Sequence, residues 1–466
     1  MNHARLTEGS VPKTMARLSV PMMGGIFSAI AFNLADTYFV AELGTLELAA
    51  MSFTVPVVMV LVGVAWGLGS GMTASVSRAI GEWDETRVLR LSTDGLILGF
   101  AFVLVLASIG MVTIEPLFTA LGADPDLIPL ISDYMFVWYP GMVFLVVPMV
   151  ANATIRATGD TKTPALIIIG ATGFNLLLDP ILIFGWFGAP ALGLRGAALA
   201  TVIARGSTMV ASILILRYRE RLLDFRPPPL RELWSSWKTI GQIAIPATAT
   251  NLFAPVASAV ITRLIAGYGA PAVAAWGAGS RISAFVLIPI MGYCSGLAPF
   301  VGQNWGASML DRVKTARNIG YVSSLVWGGL TVLGLRYFGD EIAGLFSDDS
   351  EVTRQIAHYL SIIPIGYAMV GMMSVTEETL NSVGRPVLAS VQTLAYSFGM
   401  AIPLGYFGGA YYGLTGMFFG LAIADWGGGV LGIATTAWSC RACFLKPIEE
   451  TQSAGRATPW LKNEDE

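Results

Sequence analysis

From Leu18 to Val40 the chain runs the length of a bilayer-crossing helix, about 20 residues, with a single charged side chain, Asp36, in A-F-N-L-A-D-T-Y-F-V. A stretch that apolar belongs in a bilayer, where every backbone polar group must be bonded within the segment and the chain must therefore be helical. Such stretches recur to the end of the sequence. Of 466 residues, 54% are hydrophobic and only 13% charged, about half the charge of a soluble domain, and mean hydropathy is +0.65. The chain is an integral membrane protein, too charge-poor to grip nucleic acid. Three cysteines exclude a disulfide framework and any four-cysteine metal site, and two histidines, His3 and His358, argue against a histidine metal centre. M-N-H-A-R-L-T-E-G-S-V-P-K lacks the apolar core and cleavage site of a signal peptide, so the first hydrophobic segment is expected to stay as a spanning helix.

The hydrophobic stretches divide into twelve spans, centred near Ser28, Leu61, Val103, Phe144, Asn175 and Ala204, then near Pro255, Ile288, Val326, Tyr367, Ser397 and Ala424. Basic residues set the orientation. Arg5, Lys13 and Arg17 precede the first span, and Arg78, Arg87, Arg90, Arg156 and Lys162 follow the second and fourth. Arg217, Arg219, Arg221, Arg226, Arg231 and Lys238 follow the sixth, and Arg312, Lys314, Arg317, Arg385, Arg441 and Lys446 follow the later even-numbered spans. The opposite loops carry Glu42, Glu47, Glu115, Asp124 and Asp126, with Arg195, Arg263 and Arg336 as basic exceptions. Both termini are expected in the cytoplasm. The segment R-Y-R-E-R-L-L-D-F-R-P-P-P-L-R, residues 217–231, reads as a linker whose prolines favour extended backbone.

The two halves repeat. L-S-V-P-M around Pro21 resembles I-A-I-P-A around Pro246, an offset of 225. In the same frame E-L-G-T-L-E-L-A-A meets G-Y-G-A-P-A-V-A-A, G-S-G meets C-S-G, Arg87-Val88 meets Arg312-Val313, and Gly159 meets Gly384. After two small deletions G-L-R-G (193–196) meets G-L-T-G (413–416). Six spans per repeat is an even number, so the halves share one orientation about an axis along the membrane normal. The expected fold is an all-α polytopic membrane protein of two pseudo-symmetric six-helix lobes. Residues 1–217 would form the first lobe, 218–238 the cytoplasmic linker, 239–440 the second lobe and 441–466 a cytoplasmic tail. Two such lobes across a cleft suit alternating-access transport.

The duplication also isolates two acids. The mate of Asp36 is Ile261, and the neighbourhood of Asp179 in G-F-N-L-L-L-D-P-I-L is matched by the acid-free Y-S-F-G-M-A-I-P-L. Asn175 and Asp179, four apart, share a helix face. Asp36 lies roughly 27 Å beyond Leu18, Asp179 roughly 21 Å beyond Ala165, and Thr201 roughly 12 Å in from Gly193 on the opposite side. These groups fall near one depth. Their hard oxygens suit a proton or a desolvated monovalent cation such as Na⁺ rather than a divalent ion. Asn175 and Thr201 individually suit hydrogen bonding between helices better than binding, but intramembrane acids are rare, costly and usually functional. Two such acids side by side are costly to keep ionised together, so the pair can accept and release a proton.

These residues resemble the multidrug and toxic-compound extrusion (MATE) transporters, specifically the damage-inducible-F-like branch, from about Leu18 to Ala437. The likeness rests on S-V-P near Pro21, N-L-A-D-T-Y-F-V, G-L-G-S-G, R-A-T-G-D-T-K-T-P, N-L-L-L-D-P and G-A-A-L-A-T. It implies a cation site at Asp36, Asn175, Asp179 and Thr201, joined by Tyr134, and a bend of the first helix at Pro21. It further implies a cofactor-free, monomeric antiporter in a prokaryotic inner membrane, surrounded by lipid, that exports organic cations and amphiphilic drugs in exchange for H⁺ or Na⁺. The other bacterial branch places acids in the seventh and tenth helices. Here I-P-A-T-A-T-N-L-F-A-P-V has none, and Glu377 and Glu378 are expected to be solvated or interfacial at the end of the tenth span. Arg205 and Asp425 are repeat mates with an expected structural role, paired or separate, and Arg281 is expected to snorkel. The rival readings are a lipid-linked oligosaccharide flippase, which would place basic residues in the cleft, an ion channel, and an intramembrane enzyme, for which no catalytic motif is present.

Overall fold

The computed structural model describes residues 6–224, 226 and 229–444. They are helical throughout, with no strand among them. The first six spans are α1 (Val11–Ala41), α2 (Leu46–Gly81), α3 (Glu85–Ala120), α4 (Ile128–Ala157), α5 (Lys162–Phe184) and α6 (Leu194–Arg219). The next four are α7 (Leu230–Ala266), α8 (Ala270–Val286 bent by 48° into Ile288–Gly306), α9 (Leu310–Gly344) and α10 (Ser350–Ser382). The last stretch, Pro386–Ala437, is too long for one crossing. It breaks at Tyr412 and Gly413, leaving α11 (386–411) and α12 (414–444). Twelve spans result, two lobes of six. Within the segment read as linker, helical backbone already begins at Leu230; Phe225, Pro227, Pro228 and residues 445–466 of the tail lie outside the described residues.

The sequence repeat has a conformational reason. Gly193 and Gly413, mates in G-L-R-G and G-L-T-G, have φ of 56° and 64°, and Gly159 and Gly384 have φ of 92° and 83°. Only glycine takes such backbone without strain, so each lobe makes its turns into the fifth and sixth helices with the same residues.

Each lobe has its own core. One cluster gathers Met72, Phe118, Met135, Tyr139, Ile155 and their neighbours in α1–α6, and reaches Ile240 and Ala244 of α7. A second gathers Ile265, Tyr359, Tyr367, Met417 and Phe418 in the second lobe. A third crosses between lobes, packing Leu6, Val11, Met15 and Leu18 against Leu297, Phe300, Val301 and Val313.

That seam lies at the face bearing the basic loops. Leu6 N–H donates to Gln303, whose amide donates to the Ala157 carbonyl at 2.7 Å. Arg312 donates to the carbonyls of Leu6, Glu8 and Gly9. The helices there nearly touch, since a Cβ on Gly71 would come within 2.8 Å of the Ile240 carbonyl and one on Gly306 would strike that of Arg78. Among the described residues, the hydrogen bonds from α1–α6 to α7–α12 extend from this face no farther than Asn251, which donates to Gly63 O at 3.4 Å. The lobes are clamped at the basic face and joined by none of these bonds at the other.

Glu377 and Glu378 sit in this seam. They are half-buried, and Glu378 is close enough to Arg156 of α4 for the two charges to attract. Both acids thus keep part of their surface exposed, as an interfacial position implies, while Glu378 also comes within reach of Arg156 of the opposite lobe.

Candidate cation-binding site

Asp36 and Asp179 are brought level by how α1 and α5 pack. The two helices run parallel. An added Cβ on Gly25 would lie 3.2 Å from the Ala165 Cα, Thr172 donates to the Ser28 carbonyl at 3.4 Å, and the Phe39 and Phe184 rings meet edge-on at 6.4 Å. The small Gly25 permits the close approach. These contacts pair residues 140 to 145 apart in number, and Asp36 and Asp179, 143 apart, fall into that register.

Asp36 is 8% exposed and Asp179 is 0% exposed. Asn175 donates to one Asp179 oxygen at 3.3 Å, the i to i+4 contact expected on one helix face. One oxygen of each acid, Asp36 Oδ1 and Asp179 Oδ2, is sealed from solvent with no hydrogen-bond partner among the described residues. A buried ionised carboxylate in that condition costs several kcal/mol. A proton or a monovalent cation would satisfy such oxygens.

Asp36 and Asp179 lie within electrostatic reach of each other. Tyr134, buried on α4, is in reach of both. Thr201 is buried on α6, one turn before Arg205. Pro21 lies inside α1, which continues through it as one helix.

Two further residues belong in the description. Arg205 sits over the Phe32 ring at 5.6 Å and attracts Asp36 without a direct ion pair. It is therefore not joined to its repeat mate Asp425, which accepts from Tyr396 within the second lobe. Its spacing of four from Thr201 was the signal that places it on the site's face. Asp94, near the basic end of α3, is 0% exposed and both its carboxylate oxygens lack hydrogen-bond partners among the described residues. Nothing in R-L-S-T-D-G marks it, because it lies where a span meets a basic loop and solvation is the ordinary outcome. Among the described residues no three His, Cys, Asp or Glu side chains are grouped to hold a metal.

The MatE family model matches residues 21–181 and 246–407, two segments offset by the 225 residues of the repeat. A Shewanella oneidensis protein named "FAD transporter" is 35% identical over 446 residues, covering 96% of this chain and 98% of its own. The Bacillus subtilis "Probable multidrug resistance protein YoeA" is 27% identical over 402 residues, covering 85% and 87%. The crystal structure of the Vibrio cholerae MATE transporter VcmN in the bent form superposes with a TM-score of 0.88 at 28% identity, covering 93% of this chain and 97% of that one.

Proposed function

Because the chain belongs to the MatE family of membrane transporters, which are not enzymes, we propose that it is an antiporter exporting amphiphilic organic molecules, organic cations among them, in exchange for H⁺ or Na⁺. The observation that carries the reading is the pair Asp36 and Asp179, level on α1 and α5, each with one sealed, unpartnered oxygen. The coupling ion enters from the face opposite the basic loops, where no inter-lobe hydrogen bond among the described residues bars the way, and loads this pair with Asn175, Tyr134 and Thr201 around it. Once the charge is neutralised, α1 bends at Pro21, where the missing N–H weakens the helix, and the cavity contracts against the substrate. The lobes then rock to open the basic face, which is the cytoplasmic one in a bacterial inner membrane, and the ion leaves inward. Ion and substrate are coupled because each favours a different state of the first lobe.

The test is efflux of a fluorescent organic cation from proteoliposomes under separately imposed pH and Na⁺ gradients. The wild type should respond to one gradient. Asp36→Asn should reconstitute normally and lose gradient-driven efflux altogether; full activity in that variant rejects the scheme.

A second reading of the substrate has its own support. The 35% identical relative is named for FAD, and Arg205 over Phe32 puts a guanidinium and an aromatic face beside the site, a combination suited to a planar ring bearing phosphates. Running the same assay with FAD in place of the cation separates the two. Gradient-driven FAD movement without cation movement would make the protein a flavin exporter.

A further inference from the structure

The second lobe contains a polar cluster with no part in the scheme above. Asp425 of α12, 8% exposed, accepts a hydrogen bond from the Tyr396 hydroxyl at 2.6 Å. Tyr359 and Tyr367, both buried on α10, converge on the Ser283 hydroxyl of α8, the first at 3.1 Å, and both phenols lie within electrostatic reach of Asp425. The titratable groups facing this acid are therefore Tyr396 from α11 and Tyr359 and Tyr367 from α10. No Lys, Arg, Asp or Glu acts on it among the described residues.

Two departures from α-helical backbone frame the acid. A 3₁₀ segment, Ile363–Gly366, interrupts α10, and a π segment, Ala395–Ala401, interrupts α11 and carries Tyr396. Irregular helix turns of this kind concentrate at functional sites. Gly366 packs so closely on Asp425 that an added Cβ would collide with its Oδ2.

The duplication relates this cluster to the first-lobe site. Tyr359 is Tyr134 plus the 225-residue offset. Asp425 is the mate of Arg205 at an offset of 220. With the three-residue deletion between, Asn175 falls on Ser397, next to Tyr396. The fourth, fifth and sixth helices of both repeats thus furnish a polar group at matching positions. The first lobe adds its acids on α1 and α5, and the second keeps its acid on α12.

We propose that the second lobe has its own proton-binding site, in which Asp425 takes up the proton and the Tyr396 hydroxyl holds the carboxyl in place. A hydronium ion from solvent supplies the proton: one of its O–H bonds breaks, an O–H bond forms on Oδ2 and a water molecule is left, while Oδ1 goes on accepting from Tyr396. A proton fits better than a metal ion, because the phenol donates to the acid and the Gly366 backbone crowds its other oxygen. Both lobes then change charge during the cycle. The inference rests on the reading of the protein as an ion-coupled antiporter, but its test does not depend on which ion the first lobe uses.

The experiment follows protonated-carboxyl C=O stretches by infrared difference spectroscopy of the full chain in nanodiscs, across a pH titration, for wild type, Asp36→Asn, Asp425→Asn and Tyr396→Phe. One titrating band should persist in Asp36→Asn and vanish in Asp425→Asn, and Tyr396→Phe should move the midpoint of that band alone. A spectrum in which Asp425→Asn removes no band overturns the proposal. If Asp425→Asn does not fold, Tyr396→Phe decides, and a set of bands that it leaves unmoved overturns the proposal equally. Failure of the first-lobe reading would appear separately, as unchanged efflux in Asp36→Asn.

Discussion

Asp160, in the turn between α4 and α5, has a role that its membrane setting does not obscure. It accepts from the Thr163 backbone N–H at 3.0 Å and the Thr163 hydroxyl at 2.6 Å, and Arg219 donates to the same carboxylate. Burial opposes its charge, but these bonds outweigh that and hold its carboxyl below the ordinary range near 4. A carboxyl with a lowered folded-state pKa stabilises the fold fully above its unfolded value, and that contribution fades as pH falls through the folded value. Asp160→Asn keeps an acceptor for Thr163 but loses the charge that Arg219 pairs with, and should therefore lower thermal stability at neutral pH by up to about 1 kcal/mol, the upper end for an exposed ion pair. The gap between wild type and variant, measured by thermal melts in detergent, should narrow only below about pH 4. Asp36 and Asp179 lack comparable donors, and that contrast separates a structural acid from one left available to a ligand.

Among the helices, α1 does two jobs with its two ends. Its first turns pack into the seam against α8, where Gly292 and Gly296 lie on Met23 and Leu18, and its last turns hold Asp36 beside α5. Pro21 lies between these regions. In Pro21→Ala the i→i−4 hydrogen bond returns and the helix stiffens by up to about 3 kcal/mol. Stiffening should reduce gradient-driven efflux severalfold while leaving expression and melting temperature equal or higher. Efflux at the wild-type rate would show that α1 need not bend. The 3₁₀ segment of α10 and the π segment of α11 lie beyond what apolar periodicity reports, since a single misplaced hydrogen bond leaves the spacing of a span unchanged.

At the scale of the whole molecule, closure of the basic face depends on a few polar anchors. Arg312 binds three carbonyls of residues 6–9 and the Asn304 side chain, tying the leader of α1 to the second lobe. Hydrogen bonds from a charged group contribute about 1.5–3 kcal/mol each. If only one such bond's worth is lost in Arg312→Ala, the rest being replaced by water, the balance between closed and open basic faces should shift by roughly one to two orders of magnitude. Electron–electron distance measurements between spin labels on the α2–α3 and α8–α9 turns should then gain a longer component. A distribution identical to wild type would mean that the apolar seam of Leu18, Leu297 and Phe300 suffices for closure.

Hydrophobic length, charge asymmetry and the 225-residue repeat were enough for twelve spans, two lobes and the acids at Asp36 and Asp179, because a bilayer leaves a chain few ways to bond its backbone and makes an unpaired carboxylate conspicuous. Tertiary packing alone decided how near Arg205 comes to Asp36, that Asp425 belongs to a tyrosine cluster, that Asp94 is sealed and that Glu378 comes within reach of Arg156 of the opposite lobe. Each of those depends on which helix comes alongside, and a helix's neighbours are chosen by contacts far apart in the chain, such as Gly25 on Ala165 or Gly306 on Arg78, that no local pattern records.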